Sequence, residues 1–135
     1  MRRVTLVLFF GYVATLIVAG AWGIFGARLD MPWLLRVHLH HLPHRAQANL
    51  LSQYRFLRAI ELGFGLFALR YWREIFKLRS YNTIFLAAMG CGVAARLISL
   101  GADGWPSFWM YTFLAWELAG VVAIFAYTRP RLVAG

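Results

Sequence analysis

The sequence predicts an all-α integral membrane protein, a bundle of four spanning helices with an interfacial segment between the first and the second. Three observations carry this reading. Of 135 residues, 61% are hydrophobic and only 14% are charged, against about 45–50% and about 25% in a soluble domain. The apolar residues collect in runs close to the roughly 20 residues that a helix needs to cross the hydrocarbon core. The basic residues stand mostly at the ends of those runs.

The spans fall at about 4–25, 56–72, 81–100 and 108–127, and the whole chain, 1–135, reads as one transmembrane domain. The first run carries no charge, and its length of about 33 Å suffices to cross. Arg2 and Arg3 followed by this run and by Ala19-Gly20-Ala21 resemble a cleavable signal peptide. The uncharged run continues past that site to Phe25, so it is read as a retained span. The second run is the shortest and holds Arg58 and Glu61, the third holds Arg96, and the fourth holds Glu117.

A net charge of +9 invites a nucleic-acid reading, but its distribution opposes one. Arg2 and Arg3, the group Arg70, Arg73, Lys77 and Arg79, and the pair Arg129 and Arg131 each flank a span. With four crossings all three clusters fall on the cytoplasmic side, as the positive-inside rule requires, so both termini are inside. The expected neighbours are membrane lipids and a membrane-protein partner or further copies, with no nucleic acid.

Charges inside spans cost roughly 2.5–3.5 kcal/mol each on insertion scales, so Arg58, Glu61, Arg96 and Glu117 need partners or a wet cavity. Arg58 and Glu61 are three residues apart on one helical face and can pair there. That leaves Arg96 as the counter-ion of Glu117 across the bundle. Together with Arg55 at the entry to the second span, these residues define a candidate polar pocket that opens outward.

Small residues at four-residue spacing let helices approach closely in lipid. Such sets are Ala19 with Gly23, Ala59 with Gly63, Ala88 with Gly92, and the series Ala115, Ala119, Ala123. At 100° per residue Glu117 lies about 200° from Ala115, so an inward Glu117 turns the alanine series outward. The lone Cys91 is expected to pack, buried, beside Gly90 and Gly92; with one cysteine, two-cysteine redox chemistry is excluded.

The segment between the first two spans contains all four histidines, His38, His40, His41 and His44. Imidazole suits transition metals, and His40 with His44 has helical spacing, but Pro43 interrupts a helix through the cluster. The favoured reading is an interfacial segment, with Trp33, Leu34, Leu35, Val37, Leu39 and Leu42 dipping into the bilayer and Arg36 and the histidines facing headgroups. Since no histidine lies in a span, a haem held within the membrane by two histidines of this chain is excluded; no other cofactor is indicated. Pro43 is expected to open the next helix. No phosphate-loop, nucleophile-elbow or zinc-protease motif occurs, and no catalytic residue is assigned.

Two stretches resemble a family of small bacterial inner-membrane proteins known as a four-helix domain of unknown function. One is Gln53-Tyr54-Arg55-Phe56-Leu57, followed by Gly63 and Gly65. The other is Arg96-Leu97-Ile98-Ser99, then Gly104-Trp105-Pro106, then Glu117-Leu118. The resemblance implies that the setting is a bacterial inner membrane, that Arg55, Arg96 and Glu117 form a shared polar set and that Gly104 and Pro106 turn a loop. Arg58 and Glu61 depart from the small or apolar residues of that pattern. The functional expectation is a non-catalytic accessory or assembly subunit of a larger membrane complex, packing through the fourth helix. The alternative is a membrane enzyme or a lipid- or quinone-binding protein that uses the polar pocket.

Overall fold

Helix α1, Arg2–Trp33, overruns the first expected span by eight residues at its C-terminal end. At 1.5 Å per residue it is about 48 Å long. Nothing stops it before Pro32, and it ends where Arg36 takes a left-handed φ of 58°. Val37 N–H then donates to Met31 O at 2.9 Å, and Leu34 N–H to Asp30 O at 2.8 Å. The computed structural model describes residues 2–132. A single 3₁₀ turn, Leu39–His41, follows α1, and then come α2 (His44–Arg70), α3 (Trp72–Lys77), α4 (Arg79–Ala102) and α5 (Phe108–Thr128). As expected, Pro43 opens α2, its carbonyl accepting from Gln47 N–H at 3.0 Å.

The described residues are helical, without strands. Among the described residues three helices, α1, α4 and α5, are long and apolar enough to cross a membrane, one fewer than expected. The missing one is α2, whose apolar stretch is diluted by Arg45, Asn49, Gln53, Arg55, Arg58 and Glu61.

The chain forms two compact units, one of residues 14–66 and one of residues up to 13 with those from 67 onward. In the 14–66 unit the later part of α1 and the first part of α2 run antiparallel. Gly65 meets Leu16 and Ile17, Gly20 meets Leu62 and Arg58, and Gly23 meets Arg58. A Cβ on Gly20 would lie 2.7 Å from the Leu62 backbone nitrogen and 2.8 Å from Arg58 O. Only glycine permits that approach. Toward the other end Ala27, Met31, Leu51 and Tyr54 form a buried cluster.

Leu35 and Leu39 pack against that cluster, and Leu34 is buried. Leu34, Leu35 and Leu39 of the connecting segment therefore turn onto the protein. Trp33 does stay exposed, as do Arg36, His38, His40 and His41.

In the other unit Phe9 is fully buried among Phe76 and Phe85, at ring distances of 5.1 and 5.3 Å. Helices α4 and α5 form a hairpin across a loop where Gly104 has a φ of 91°, a conformation that glycine adopts freely. Asn82, Phe85, Met89 and Val93 line the inner face of α4, and Gly120, Ile124 and Thr128 that of α5. Cys91 is exposed, Ala88 and Gly92 lie on the same outer side, and a Cβ at Gly90 or Gly92 would meet open space. The expected packing of Cys91 between glycines does not occur, because the inner stripe runs through Met89 and Val93. Ala59 and Gly63 are likewise exposed.

Candidate functional site

The five residues expected to form one polar pocket divide between the two units. In the 14–66 unit, the inner stripe of α2 runs Leu51, Tyr54, Arg58, Glu61, Gly65, at alternating spacings of three and four. Arg58 Nη1 donates to Glu61 Oε2 at 2.6 Å. The Arg58 guanidinium also lies over the Tyr54 ring, 4.8 Å from its centre, a favourable cation–π arrangement. Arg55 projects from the side of this stripe, and its Nε donates to the Ile24 carbonyl at 3.1 Å.

Asp30 is the polar group that sequence reasoning missed. It is 7% exposed and accepts from Tyr54 Oη at 2.7 Å and from Trp22 Nε1 at 3.0 Å. Burying a carboxylate costs several kcal/mol unless it is hydrogen-bonded, and two donors satisfy both of its oxygens here. The spacing held a signal. Trp22, Gly26 and Asp30 follow one another at four-residue steps, and the indole reaches Asp30 by lying over Gly26, where a Cβ would come within 2.7 Å of it. Tyr54, two residues ahead of the second expected span, has its pKa pushed up to about 12, first by burial and next by the hydrogen bond to Asp30.

In the other unit Arg96 and Glu117 face one another from α4 and α5. Arg96 Nε donates to Glu117 Oε2 at 2.9 Å and Nη2 to Oε1 at 3.2 Å. This is a bidentate pair, the geometry that best uses a guanidinium. The third nitrogen, Nη1, meets only the weakly accepting sulfur of Met110, at 3.5 Å. Beside it lies a cleft of about 100 Å³ lined by Arg96, Ser99, Leu100, Pro106, Met110, Tyr111 and Leu114. The Tyr111 hydroxyl is buried and has no hydrogen-bond partner among the described residues.

The model of the family described as Domain of unknown function (DUF4345) matches residues 4–128, nearly the whole chain. The chain belongs to this family. No curated protein and no solved structure matches it. Of the polar set that the resemblance implied for the family, Arg96 and Glu117 are in direct contact, and Arg55 lies in the other unit on a backbone carbonyl.

The histidine rings of positions 38, 40 and 41 gather, His40 and His41 at 4.0 Å and His38 at 5.7 and 6.0 Å from them. His44 stands apart in the chain, at the start of α2. Since α2 begins only after Pro43, His40 and His44 do not share a helical face. Among the described residues no group of three histidine, cysteine or acidic side chains is placed to hold a metal ion.

Proposed function

We propose that this chain is a four-crossing protein of the bacterial inner membrane, with both termini inside, that serves as a non-catalytic accessory or assembly subunit. The observation that carries the role is the division of α5 into two faces. Glu117, Gly120, Ile124 and Thr128 turn inward, whereas Ala115 and Ala119 are exposed and Ala123, expected to face outward with them, is half-buried. Small exposed residues in a spanning helix offer a close-packing surface to a second helix. The charges on the inward faces neutralise one another within the chain, Arg58 with Glu61 and Arg96 with Glu117, which suits a structural use of charge.

The crossing of α2 is supported by its pairing with α1. The contacts from Gly65 at Leu16 to Arg58 at Gly23 follow α1 for about 10 Å within the expected second span, so α2 enters a membrane alongside that stretch of α1. Arg58 and Glu61 in this stretch pair with one another, which lowers the cost of insertion.

Extraction into native lipid nanodiscs with mass measurement tests the role. A complex heavier than one chain, lost on Ala119→Phe, is expected; a monodisperse monomer overturns it. A reporter fused to the C-terminus is expected on the cytoplasmic side.

A second reading, a lipid- or quinone-binding protein, has its own support in the cleft beside Arg96. There the Tyr111 hydroxyl and the weakly satisfied Arg96 Nη1 are two donors suited to a carbonyl oxygen. Tyr111→Phe separates the readings. Loss of a co-purified quinone or lipid with unchanged assembly favours binding, and an unchanged small-molecule content favours the subunit.

A further inference from the structure

The basic clusters that mark topology in the sequence also build a site. Along the seam of α4 and α5, at the end where α4 begins and α5 finishes, runs a groove of about 440 Å³. Its α4 wall is Arg79, Asn82 and Leu86, and its α5 wall is Val121, Phe125 and Arg129. The walls follow helical spacings of three and four, so the groove rises about 12 Å along the helices. Its composition is graded. Arg79 and Arg129, both exposed, stand at the helix ends, and the deeper wall is apolar. The Arg129 guanidinium lies over the Phe125 ring at 5.3 Å, which holds the charge at the groove's mouth.

We infer that this groove binds an anionic phospholipid, with its phosphate between Arg79 and Arg129 and the upper part of one acyl chain against Leu86, Val121 and Phe125. Basic pockets between spanning helices at a membrane surface are suited to anionic headgroups, and arginine presents a planar set of donors to phosphate. The apolar depth behind the cations is what distinguishes a phospholipid from a free anion. The inference rests on α4 and α5 crossing a bilayer, and not on the number of crossings or on the proposed subunit role.

Reconstitution of the purified full chain into nanodiscs of phosphatidylcholine with a minor share of phosphatidylglycerol, followed by native mass spectrometry, tests it. Wild type is expected to retain one phosphatidylglycerol. The double variant Arg79→Gln/Arg129→Gln is expected to weaken retention by about 25-fold, each arginine near a surface being worth about fivefold. Val121→Trp, which fills the apolar depth without changing charge, is expected to weaken it too. Arg73→Gln/Lys77→Gln removes two charges from the neighbouring α3 and is expected to retain the lipid. Equal loss in both double variants means a diffuse basic collar and overturns the site, as does retention by Val121→Trp. Displacement by inorganic phosphate would assign the groove to a free anion and overturn the lipid. Wild type that enters nanodiscs without an adduct overturns the site alone, whereas wild type excluded from nanodiscs overturns the membrane reading with it. Unchanged helical circular dichroism checks that each variant is folded.

Discussion

Arg96 and Glu117 tie α4 to α5 at one end of their hairpin, and Asn82 with Thr128 ties it at the other. Thr128 Oγ1 lies 3.4 Å from Asn82 Oδ1, and Asn82 Nδ2 donates to Ile75 O at 2.9 Å. Between the ties lie Phe85, Met89, Val93, Gly120 and Ile124, with Met89 Cε 3.2 Å from where a Gly120 Cβ would stand. The polar contacts are 14 positions apart on α4, or about 21 Å, and set the register of an otherwise slippery apolar seam.

Glu117→Gln removes the charge that balances Arg96 and keeps the shape. An unpaired arginine at the centre of a span costs about 2.5–3.5 kcal/mol on insertion scales, and Arg96 stands six residues from the end of α4, where a long side chain reaches toward the interface, so a loss of about 2 kcal/mol is expected. Replacing both partners, as in Arg96→Met/Glu117→Leu, is expected to recover most of it, because two apolar side chains leave no orphan charge. Unfolding of the purified protein in mixed detergent, followed by intrinsic fluorescence, measures both. A double variant as unstable as the single would show that the pair contributes more than register.

The glycines give a second prediction. Gly20→Ala forces a Cβ against two backbone atoms of α2, which have no rotamer to change, and a loss of about 1–3 kcal/mol is expected. Gly63→Ala and Gly92→Ala point into open space and are expected to be neutral or to gain up to about 1 kcal/mol of helix propensity. The same unfolding assay separates them. Equal effects at Gly20 and Gly92 would contradict the close approach of α1 and α2.

That contrast also marks what the sequence could and could not reveal. The long apolar helices α1, α4 and α5 and the partnership of Arg96 with Glu117 follow from length, charge and periodicity, which act along the chain, and the turn at Gly104 from the family resemblance. Which face of each helix meets another is decided by neighbours far away in sequence. Ala19 with Gly23, Ala59 with Gly63 and Ala88 with Gly92 look alike as letters, yet only the first carries a glycine that is in contact with the partner helix. Asp30 was missed for a related reason. Its donors are one residue eight positions back and one 24 positions ahead, and the sequence marks its burial only by the four-residue steps from Trp22 through Gly26.

Tyr54 gives a pH dependence. Its phenol keeps its proton up to about pH 12 because burial, and then Asp30, disfavour the phenolate, while Arg58 opposes them more weakly. An unfolded chain releases that proton near pH 10, so between about pH 10 and 12 the folded state alone retains it. Stability from this group is therefore fully present below pH 10 and is lost as pH rises through that window. Phenolate absorbance near the ultraviolet edge, taken as the difference between wild type and Tyr54→Phe, is expected to titrate at the high end. Asp30→Asn is expected to lower that midpoint. A difference titration centred at pH 10 in wild type would contradict the buried hydrogen bond.

Cys91 turns the outer face of α4 into a measurable quantity. It is exposed, lies near the middle of a helix long and apolar enough to cross a membrane, and is the one cysteine of the chain, so a nitroxide attached to it reports a single place. A bilayer dissolves oxygen well and excludes charged or strongly polar nickel chelates. A label at Cys91 is therefore expected to relax readily with oxygen and little with a water-soluble nickel complex. Neighbouring Gly90 and Gly92 leave space around the label, so it should also be mobile on the nanosecond scale. Moving the cysteine to Met89 in a Cys91→Ser background places the label on the inner stripe, where strong immobilisation and low access to both reagents are expected. High nickel accessibility at Cys91 would place this face of α4 in water and remove the basis for a spanning hairpin.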